Sequence, residues 1–288
     1  MANTNTTIEW TDATWNVVTG CTKVSQGCKN CYAERVFPRT AHGQRVPVVN
    51  NGRDPDPARD SHFRQRVFTD VRCHPERLEQ PLHWKKPKRI FVNSMSDLFH
   101  EDVPFEFIDQ VFAVMALCPQ HTFQILTKRC ERMMEYIRGL QDDDRDLHRL
   151  QGWACQLSNS PCAAGIVEER AWPLPNVWLG VSVENQDTLH RIDTLKDIPA
   201  AVRFVSFEPL LEDLGAVILD GIHWAICGSE SGSKARGYDT QWFESIARQC
   251  KAQHVAFFMK QLTLKGRKIP FEEWPGYLQI REYPSEKA

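Results

Sequence analysis

Residues 15–32 read WNVVTGCTKVSQGCKNCY, and this stretch places three cysteines next to a short apolar run. Cys21, Cys28 and Cys31 follow the spacing C-x6-C-x2-C. The apolar residues just before the first cysteine are typical of a buried strand. We therefore expect a strand over residues 15–21, with the cysteines on the loop that leaves it.

Length and composition indicate a globular protein. The chain has 288 residues, of which 42% are hydrophobic and 25% charged. No apolar run approaches the roughly 20 residues of a membrane helix, and residues 1–10 lack the basic start and apolar middle of a signal peptide. We therefore expect a cytoplasmic protein without a membrane partner. In that setting its ten cysteines serve metal binding, catalysis or burial rather than disulfides.

Short apolar strands alternate with helical segments along the chain. Helices are predicted over residues 105–118, 130–140, 187–196 and 240–253. Strands are predicted over residues 15–21, 89–93, 122–126, 177–183, 203–207, 224–227 and 255–259. Such alternation indicates a parallel sheet that is covered on both faces. An open doubly wound sheet and a (β/α) barrel both fit, but no G-x-G-x-x-G follows the first strand, which disfavours the dinucleotide-binding version.

Two stretches interrupt this alternation and are interpreted as insertions. Residues 40–75 have no clear periodicity, and residues 141–175 begin acidic and continue with Cys, Trp and Pro. Short helices are predicted at residues 32–39 and 74–84, on either side of the first insertion. We predict a single domain over residues 1–288 that carries both insertions.

Each predicted strand ends in side chains capable of chemistry. Cys21 follows the first strand. The later strands are followed by Ser94, Ser96, Asp97, Lys128, Arg129, Ser182, Glu184, Glu208, Glu230 and Lys260. In a barrel, active sites lie at the carboxyl ends of the strands. Strand ends are polar in any protein, but charged groups beside buried strands are costly unless they are paired or used. The set as a whole predicts a shared cleft.

The three-cysteine loop fits two kinds of metal site. A structural zinc ion needs four ligands, and no fourth Cys or His is indicated by the spacing. A [4Fe–4S] cluster held by three thiolates keeps one iron open, which suits catalysis at a strand end.

Several blocks of the sequence resemble the phage Gp37/Gp68-type three-Cys-motif family, which is similar to radical S-adenosylmethionine (SAM) enzymes. With the cysteine loop, the blocks are NSMSDLFHEDVP (residues 93–104), LTKR (126–129), WLGVSVEN (178–185), FVSFEPLL (204–211) and CGSESG (227–232). The resemblance implies a partial (β/α) barrel of about six to seven parallel strands.

The resemblance also implies a [4Fe–4S] cluster ligated by Cys21, Cys28 and Cys31, with SAM on the open iron. One-electron reduction of SAM would then give a 5′-deoxyadenosyl radical. Position in the strand order makes Ser94, Ser96, Asp97, Ser182 and Glu184 the candidate cofactor contacts. Lys128, Arg129, Glu208, Glu230 and Lys260 are the candidate substrate contacts. The commonest spacing in such enzymes is C-x3-C-x2-C, and the residue before the third cysteine is usually aromatic; here it is Asn30.

The partner is predicted from charge. Residues 35–89 hold ten arginines and three lysines against four aspartates and two glutamates, an excess of seven positive charges. Interleaved Phe63, Phe68 and Trp84 could stack on bases, which suggests a nucleic acid or nucleotide substrate. A radical enzyme would also need an electron donor. The alternative is a zinc-stabilised nucleic-acid-binding or interaction protein without catalysis.

Overall fold

The computed structural model describes residues 6–39, 45–47, 63–142, 144–158 and 173–285. Seven parallel strands pair in chain order, and the sheet curves into a half-barrel. The strands are β1 (Ala13–Trp15), β2 (Arg89–Val92), β3 (Thr122–Thr127), β4 (Val177–Ser182), β5 (Val202–Phe207), β6 (Trp224–Gly228) and β7 (Ala256–Gln261). The predicted α/β fold, a partial (β/α) barrel of six to seven parallel strands, is confirmed.

Six helices lie in the described ranges. They are α1 (Tyr32–Val36), α2 (Phe105–Leu117), α3 (Cys130–Asp142), α4 (Asp144–Ser158), α5 (His190–Lys196) and α6 (Thr240–Ala252). α2 to α6 pack against the convex face of the sheet, whereas α1 packs on Met95 at the carboxyl ends of the strands. Short 3-10 helices occupy Gln26–Cys28, Phe37–Arg39, Pro75–Arg77, Gln80–His83, Gln186–Thr188, Phe271–Glu273 and Gly276–Leu278. Alternate strand residues, such as Ile90 and Val181, join the apolar helix faces in one large core. No helix in the described ranges has both the length and the apolarity that crossing a bilayer requires.

The concave face of the half-barrel is filled by a second, aromatic cluster. Its buried members are Trp10, Phe204, Trp224, Ile226 and Phe258. The Trp10 ring, which precedes β1, lies 4.7 Å from the ring of Phe91 and 6.0 Å from that of Trp224, measured between centroids. Gly180 in β4 gives this cluster room, because an added Cβ would lie 2.5 Å from the Phe204 ring. The aromatic side chains thus fill the inside of the half-barrel below the carboxyl ends of its strands.

The first strand begins and ends earlier than the sequence predicted. Its pairing with β2 stops at Trp15, whereas residues 15–21 were predicted as the strand. The Asn16 side chain accepts hydrogen bonds from Ser94 Oγ and Met95 N at 3.2 and 3.1 Å and so ties the chain to the loop after β2. Val18–Thr19 then pair antiparallel with Arg72–Cys73. The apolar run therefore pairs with two different strands: Trp15 pairs with β2, and Val18–Thr19 pair with Arg72–Cys73.

The segment predicted as a helix over residues 74–84 consists of two 3-10 helices, Pro75–Arg77 and Gln80–His83. Pro81 lies in the second one and has no N–H to donate, so it cannot continue an α-helical hydrogen-bond ladder. The two 3-10 turns replace the single predicted helix.

Parts of both predicted insertions lie outside the described residues. Within the first, Arg45–Pro47 pair antiparallel with Phe63–Gln65. Within the second, α4 contributes Leu150 and Ala154 to the main core. The single-domain arrangement stays a prediction.

Candidate metal centre

A cavity of about 500 Å³ lies at the carboxyl ends of the strands. All three cysteines of the loop line it, together with a residue from each strand end from β2 to β7. Those strand-end residues include Ser94, Lys128, Ser182, Glu208, Glu230 and Lys260. The structure therefore brings the predicted groups into one space, except Glu184, which is buried outside the cavity lining. Their individual roles remain predictions.

The cysteine loop is anchored at its start by backbone bonds. Gly20 adopts a φ of 93°, and an added Cβ there would lie 2.5 Å from the carbonyl oxygen of Asp70. The Cys21 N–H donates to the Phe68 carbonyl at 2.9 Å, and the Gly20 N–H donates to the Met95 carbonyl at 3.1 Å. A left-handed residue in such close contact favours glycine, and the turn directs Cys21 into the cavity.

The far side of the loop is tied to the chain that follows β6. Asn30 Nδ2 donates to Glu230 Oε2 at 3.0 Å and to the Lys234 carbonyl at 2.9 Å. Arg236 donates to Glu230 Oε2 at 2.9 Å and also to the Gln26 carbonyl at 3.1 Å. These bonds join the loop after β1, an edge strand, to the loop after β6, the sixth of the seven strands, across the carboxyl ends of the sheet.

Cys21 lies against Arg129, the second residue after β3. Arg129 Nη1 donates to the Cys21 sulfur at 3.6 Å. Burial, with a contribution from Asp97, raises the pKa of the Cys21 thiol to about 12, and Arg129 acts in the opposite direction. The thiol of the metal-free chain is therefore protonated near neutral pH.

Cys28 faces the charge of Lys128, the first residue after β3. Burial alone would raise the pKa of the Cys28 thiol, but the Lys128 ammonium and loop hydrogen bonds outweigh it and lower this pKa. Burial lowers the pKa of Lys128 to about 8. Lys128 forms an ion pair with Glu184, whose side chain is fully buried and also accepts from Arg191 Nη1 at 3.2 Å. Glu184 thus holds Lys128 beside the cysteine.

Cys31 stands directly before α1. Burial raises the pKa of its thiol, and hydrogen bonds from the backbone N–H groups of Glu34 and Ala33 act in the opposite direction. Each thiol of the loop therefore has a positive or dipolar partner of its own.

The predicted cofactor contacts after β2 also hold the loop. Ser94 Oγ donates to Asn16 Oδ1 at 3.2 Å, and Ser96 Oγ donates to the Val18 carbonyl at 2.8 Å. Asp97 accepts from Thr127 Oγ1 at 2.7 Å through one oxygen and from Arg129 Nη1 at 3.3 Å through the other. The two serine hydroxyls retain lone pairs beside the cavity, whereas Asp97 also accepts from the backbone N–H groups of Phe99 and Lys128 and so has all of its acceptor sites occupied.

The predicted substrate contacts on the opposite wall are paired. Lys260 Nζ contacts both carboxylate oxygens of Glu208, at 2.7 and 2.8 Å. Glu230 binds Arg236 and Asn30, as described above. The pKa of Glu230 is lowered, because the bonds from Arg236 and Asn30 outweigh the effect of burial. The charges on this wall are therefore neutralised within the chain.

Sequence reasoning missed four residues that complete the site. Glu101 and Thr22 accept hydrogen bonds from Arg129. Arg191 donates to Glu184, and Asn30 anchors the cysteine loop to Glu230. Glu101 lies inside the block NSMSDLFHEDVP, and Asn30 is the residue that departs from the aromatic pattern. The sequence thus drew attention to these two residues, but it did not identify the residues that they bind.

The spacing of the thiols can be compared with the size of a metal site. Tetrahedral zinc with Zn–S bonds of about 2.3 Å places its sulfurs about 3.8 Å apart. Among the described residues, one group has three metal-ligating side chains whose donor atoms all lie within 4.8 Å of one another: Cys130, Glu131 and His190. The sulfurs of the three loop cysteines do not all lie within that distance of one another.

The fold and the site define a partial (β/α) barrel whose carboxyl edge is closed by a three-cysteine loop. Residues 5–269 match the family described as "Protein of unknown function (DUF5131)", and the chain therefore belongs to this family. The family resemblance inferred from the sequence blocks is confirmed. No curated protein matches the chain.

Among solved structures, a mutant of spore photoproduct lyase matches with a TM-score of 0.41 and 10% sequence identity. The match covers 91% of this chain and 62% of the other. This chain therefore spans less than two thirds of the length of the structure that it matches.

Proposed function

We propose that the protein is a radical SAM-type enzyme in which Cys21, Cys28 and Cys31 ligate a [4Fe–4S] cluster. The observation that carries this proposal is that all three cysteines line one cavity at the carboxyl ends of the strands, with Arg129 against Cys21 and Lys128 facing Cys28. Burial raises the pKa of Cys21 and Cys31, and a bound metal would neutralise the thiolate charge there. Three cysteines gathered in one cavity are therefore better explained by metal ligation than by packing.

The cluster is favoured over zinc by the number of cysteines in the loop. Three thiolates would leave one iron of a cluster open to SAM, whereas a structural zinc ion needs a fourth ligand. The 500 Å³ cavity beside them provides space for such a cofactor.

When bound, the cluster and SAM would supply a 5′-deoxyadenosyl radical for hydrogen abstraction. The chain's own residues would hold the cofactor: Ser94, Ser96 and Asp97 after β2, and Ser182 and Glu184 after β4. Ser182 lines the cavity directly. Glu184 is fully buried behind Lys128 and would act through that residue.

The substrate is proposed to be a nucleic acid or nucleotide, and an electron donor is a required partner. We place this chemistry in the cytoplasm, where thiols stay reduced. Among the described residues of the basic region, Arg66 donates to the Thr19 hydroxyl and carbonyl, both at 2.7 Å, so it serves the fold. Arg39 and Arg72 are exposed and are the better probes. Replacement of both by Glu should weaken nucleic-acid binding and reduce its dependence on salt concentration. An unchanged affinity would contradict this substrate class.

The function is tested by anaerobic reconstitution with iron and sulfide. The full chain should turn brown, bind four irons per protein, absorb broadly near about 400 nm and release 5′-deoxyadenosine from SAM on reduction. Cys28→Ala should lose both the cluster and the product. Cys155→Ala, in α4, is the matched control and should retain both. A colourless protein with one zinc ion would support the non-catalytic zinc-stabilised alternative instead.

A further inference from the structure

Arg129 differs from the other cations at the cavity because every part of its guanidinium group is engaged by the chain. Its Nε donates to both carboxylate oxygens of Glu101, at 2.9 and 3.0 Å. Nη1 donates to Asp97 at 3.3 Å and to the Cys21 sulfur at 3.6 Å. Nη2 donates to the Thr22 hydroxyl at 2.8 Å. The side chain is 5% exposed.

These contacts leave little of Arg129 for a substrate, although its position after β3 suggested that role. Its partners belong to the loop after β2 and to the cysteine loop, so the guanidinium group joins the two. The planar guanidinium group has five N–H donors and can bind all of these partners at once, whereas a lysine ammonium cannot. Burial alone would lower the pKa of Arg129, but Glu101, Asp97 and Cys21 outweigh it and raise this pKa, so the group stays charged.

We propose that Arg129 is a positioning residue that fixes Cys21 and raises the reduction potential of the cluster which this cysteine would ligate. The inference rests on the function proposed above. Reduction by a low-potential one-electron donor adds one negative charge to a cluster. A fixed cation and an N–H···S hydrogen bond both stabilise that added charge, and hydrogen bonds to sulfur and net charge are what set such potentials.

Arg132 offers a matched control in α3, the helix that begins one residue after Arg129. It donates to the carbonyls of His100 and Val103, both at 2.7 Å, and stacks on Phe105. Its removal deletes the same charge and two good hydrogen bonds, to His100 and Val103, that do not involve the cysteine loop. The Arg132→Gln variant therefore shows how far the loss of any nearby arginine changes the potential. A larger effect of Arg129→Gln can then be assigned to the contact with Cys21.

The test is a redox titration of the reconstituted full-length protein, followed by electron paramagnetic resonance, with dithionite as the reductant. Arg129→Gln should shift the midpoint potential to more negative values. Arg129→Lys, which keeps the charge but loses the fork, should shift it less, and Arg132→Gln should stay near the wild type. If Arg129→Gln fails to hold iron, Arg129→Lys decides the question, and a wild-type potential in that variant overturns the inference.

The outcomes also separate this inference from the proposed function. A wild-type protein that binds no cluster contradicts the function itself and the inference with it. A wild-type protein that binds a cluster and cleaves SAM, with an Arg129→Gln variant that has full iron content and an unchanged potential, contradicts only the role of Arg129.

Discussion

Gly27 lies directly against Glu184, so that a Cβ added at Gly27 would be 2.4 Å from the Cγ atom of Glu184. Glu184 has no exposed surface and is held by Lys128 and Arg191. Gly27 sits in the 3-10 turn just before Cys28. The close approach of this turn to Glu184 places Cys28 beside Lys128, and the extra residues between the first two cysteines form the turn.

Gly27→Ala should destabilise the protein by about 1–3 kcal/mol, because overpacking against a fixed buried side chain forces the loop or Glu184 to shift. Chemical unfolding measures this change. Gly152→Ala is the control, since an added Cβ meets no atom within 4 Å in that helix. There the change should stabilise by about 0.5–1 kcal/mol. Equal stability of the two variants would show that Gly27 is not tightly packed.

Asn30→Ala should loosen the cysteine loop, because it removes the donor to Glu230 and to the Lys234 carbonyl. Each lost hydrogen bond costs about 0.5–1.5 kcal/mol. Hydrogen exchange of peptides covering residues 24–31 should therefore accelerate. Gln26→Ala serves as the control in the same loop, since Arg236 binds only its carbonyl. Similar exchange in both variants would argue against the tie to Glu230.

Stability should decrease as the pH falls below about 6.5. Burial lowers the pKa of His74, His100, His121 and His223 in the folded chain. The unfolded chain therefore binds more protons in the window between the unfolded pKa and the lowered folded values, so protonation favours unfolding there. Urea unfolding at pH 7.5 and 5.5 measures the slope.

The histidine contribution can be assigned with one variant. His121 is 1% exposed and contacts the Pro81 carbonyl at 3.2 Å. His121→Gln should reduce the loss of stability between pH 7.5 and 5.5, whereas His148→Gln, in an exposed position of α4, should leave it unchanged. An identical pH slope in the His121 variant and the wild type would contradict the assignment.

Glu208 and Lys260 should show measurable coupling in a double-mutant cycle built with Glu208→Gln and Lys260→Met. The two side chains are 17% and 18% exposed, and Lys260 contacts both carboxylate oxygens. Coupling of roughly 0.5–3 kcal/mol is expected for such a shielded contact. The Asp193–Lys196 pair, whose Asp is 81% exposed, should give less than about 0.5 kcal/mol. Equal coupling energies for the two pairs would show that the cavity wall does not shield the Glu208–Lys260 pair from solvent.

The fold was predictable because its strands are buried on both faces, which makes each one a short apolar run bounded by polar residues. Parallel strands end at the same edge, so the meeting of Ser94, Lys128, Ser182, Glu208 and Lys260 could be predicted as well. Neither prediction needed knowledge of individual contacts.

The rest depended on partners that are far away in the chain. β1 was misplaced because Val18 pairs with Cys73 rather than with β2, and a run of apolar residues does not identify its neighbour. Lys128 and Arg129 are adjacent in sequence, yet one binds Glu184 and the other Glu101 and Asp97. Side-chain direction and long-range pairing decide such contacts, and local pattern does not encode them.

The hydrogen bonds between the cysteine loop and the loop after β6 have a consequence for biosynthesis. Asn30 and Glu230 are 200 positions apart, and Gln26 and Arg236 are 210 apart. Because a ribosome adds about 5–20 residues per second, the thiols emerge from the exit tunnel roughly ten seconds or more before their closing loop is translated. During that interval the nascent cysteines are open to oxidation and to stray ions. Under the function proposed above, iron and sulfide would reach a closed loop only after residues 230–236 have been translated.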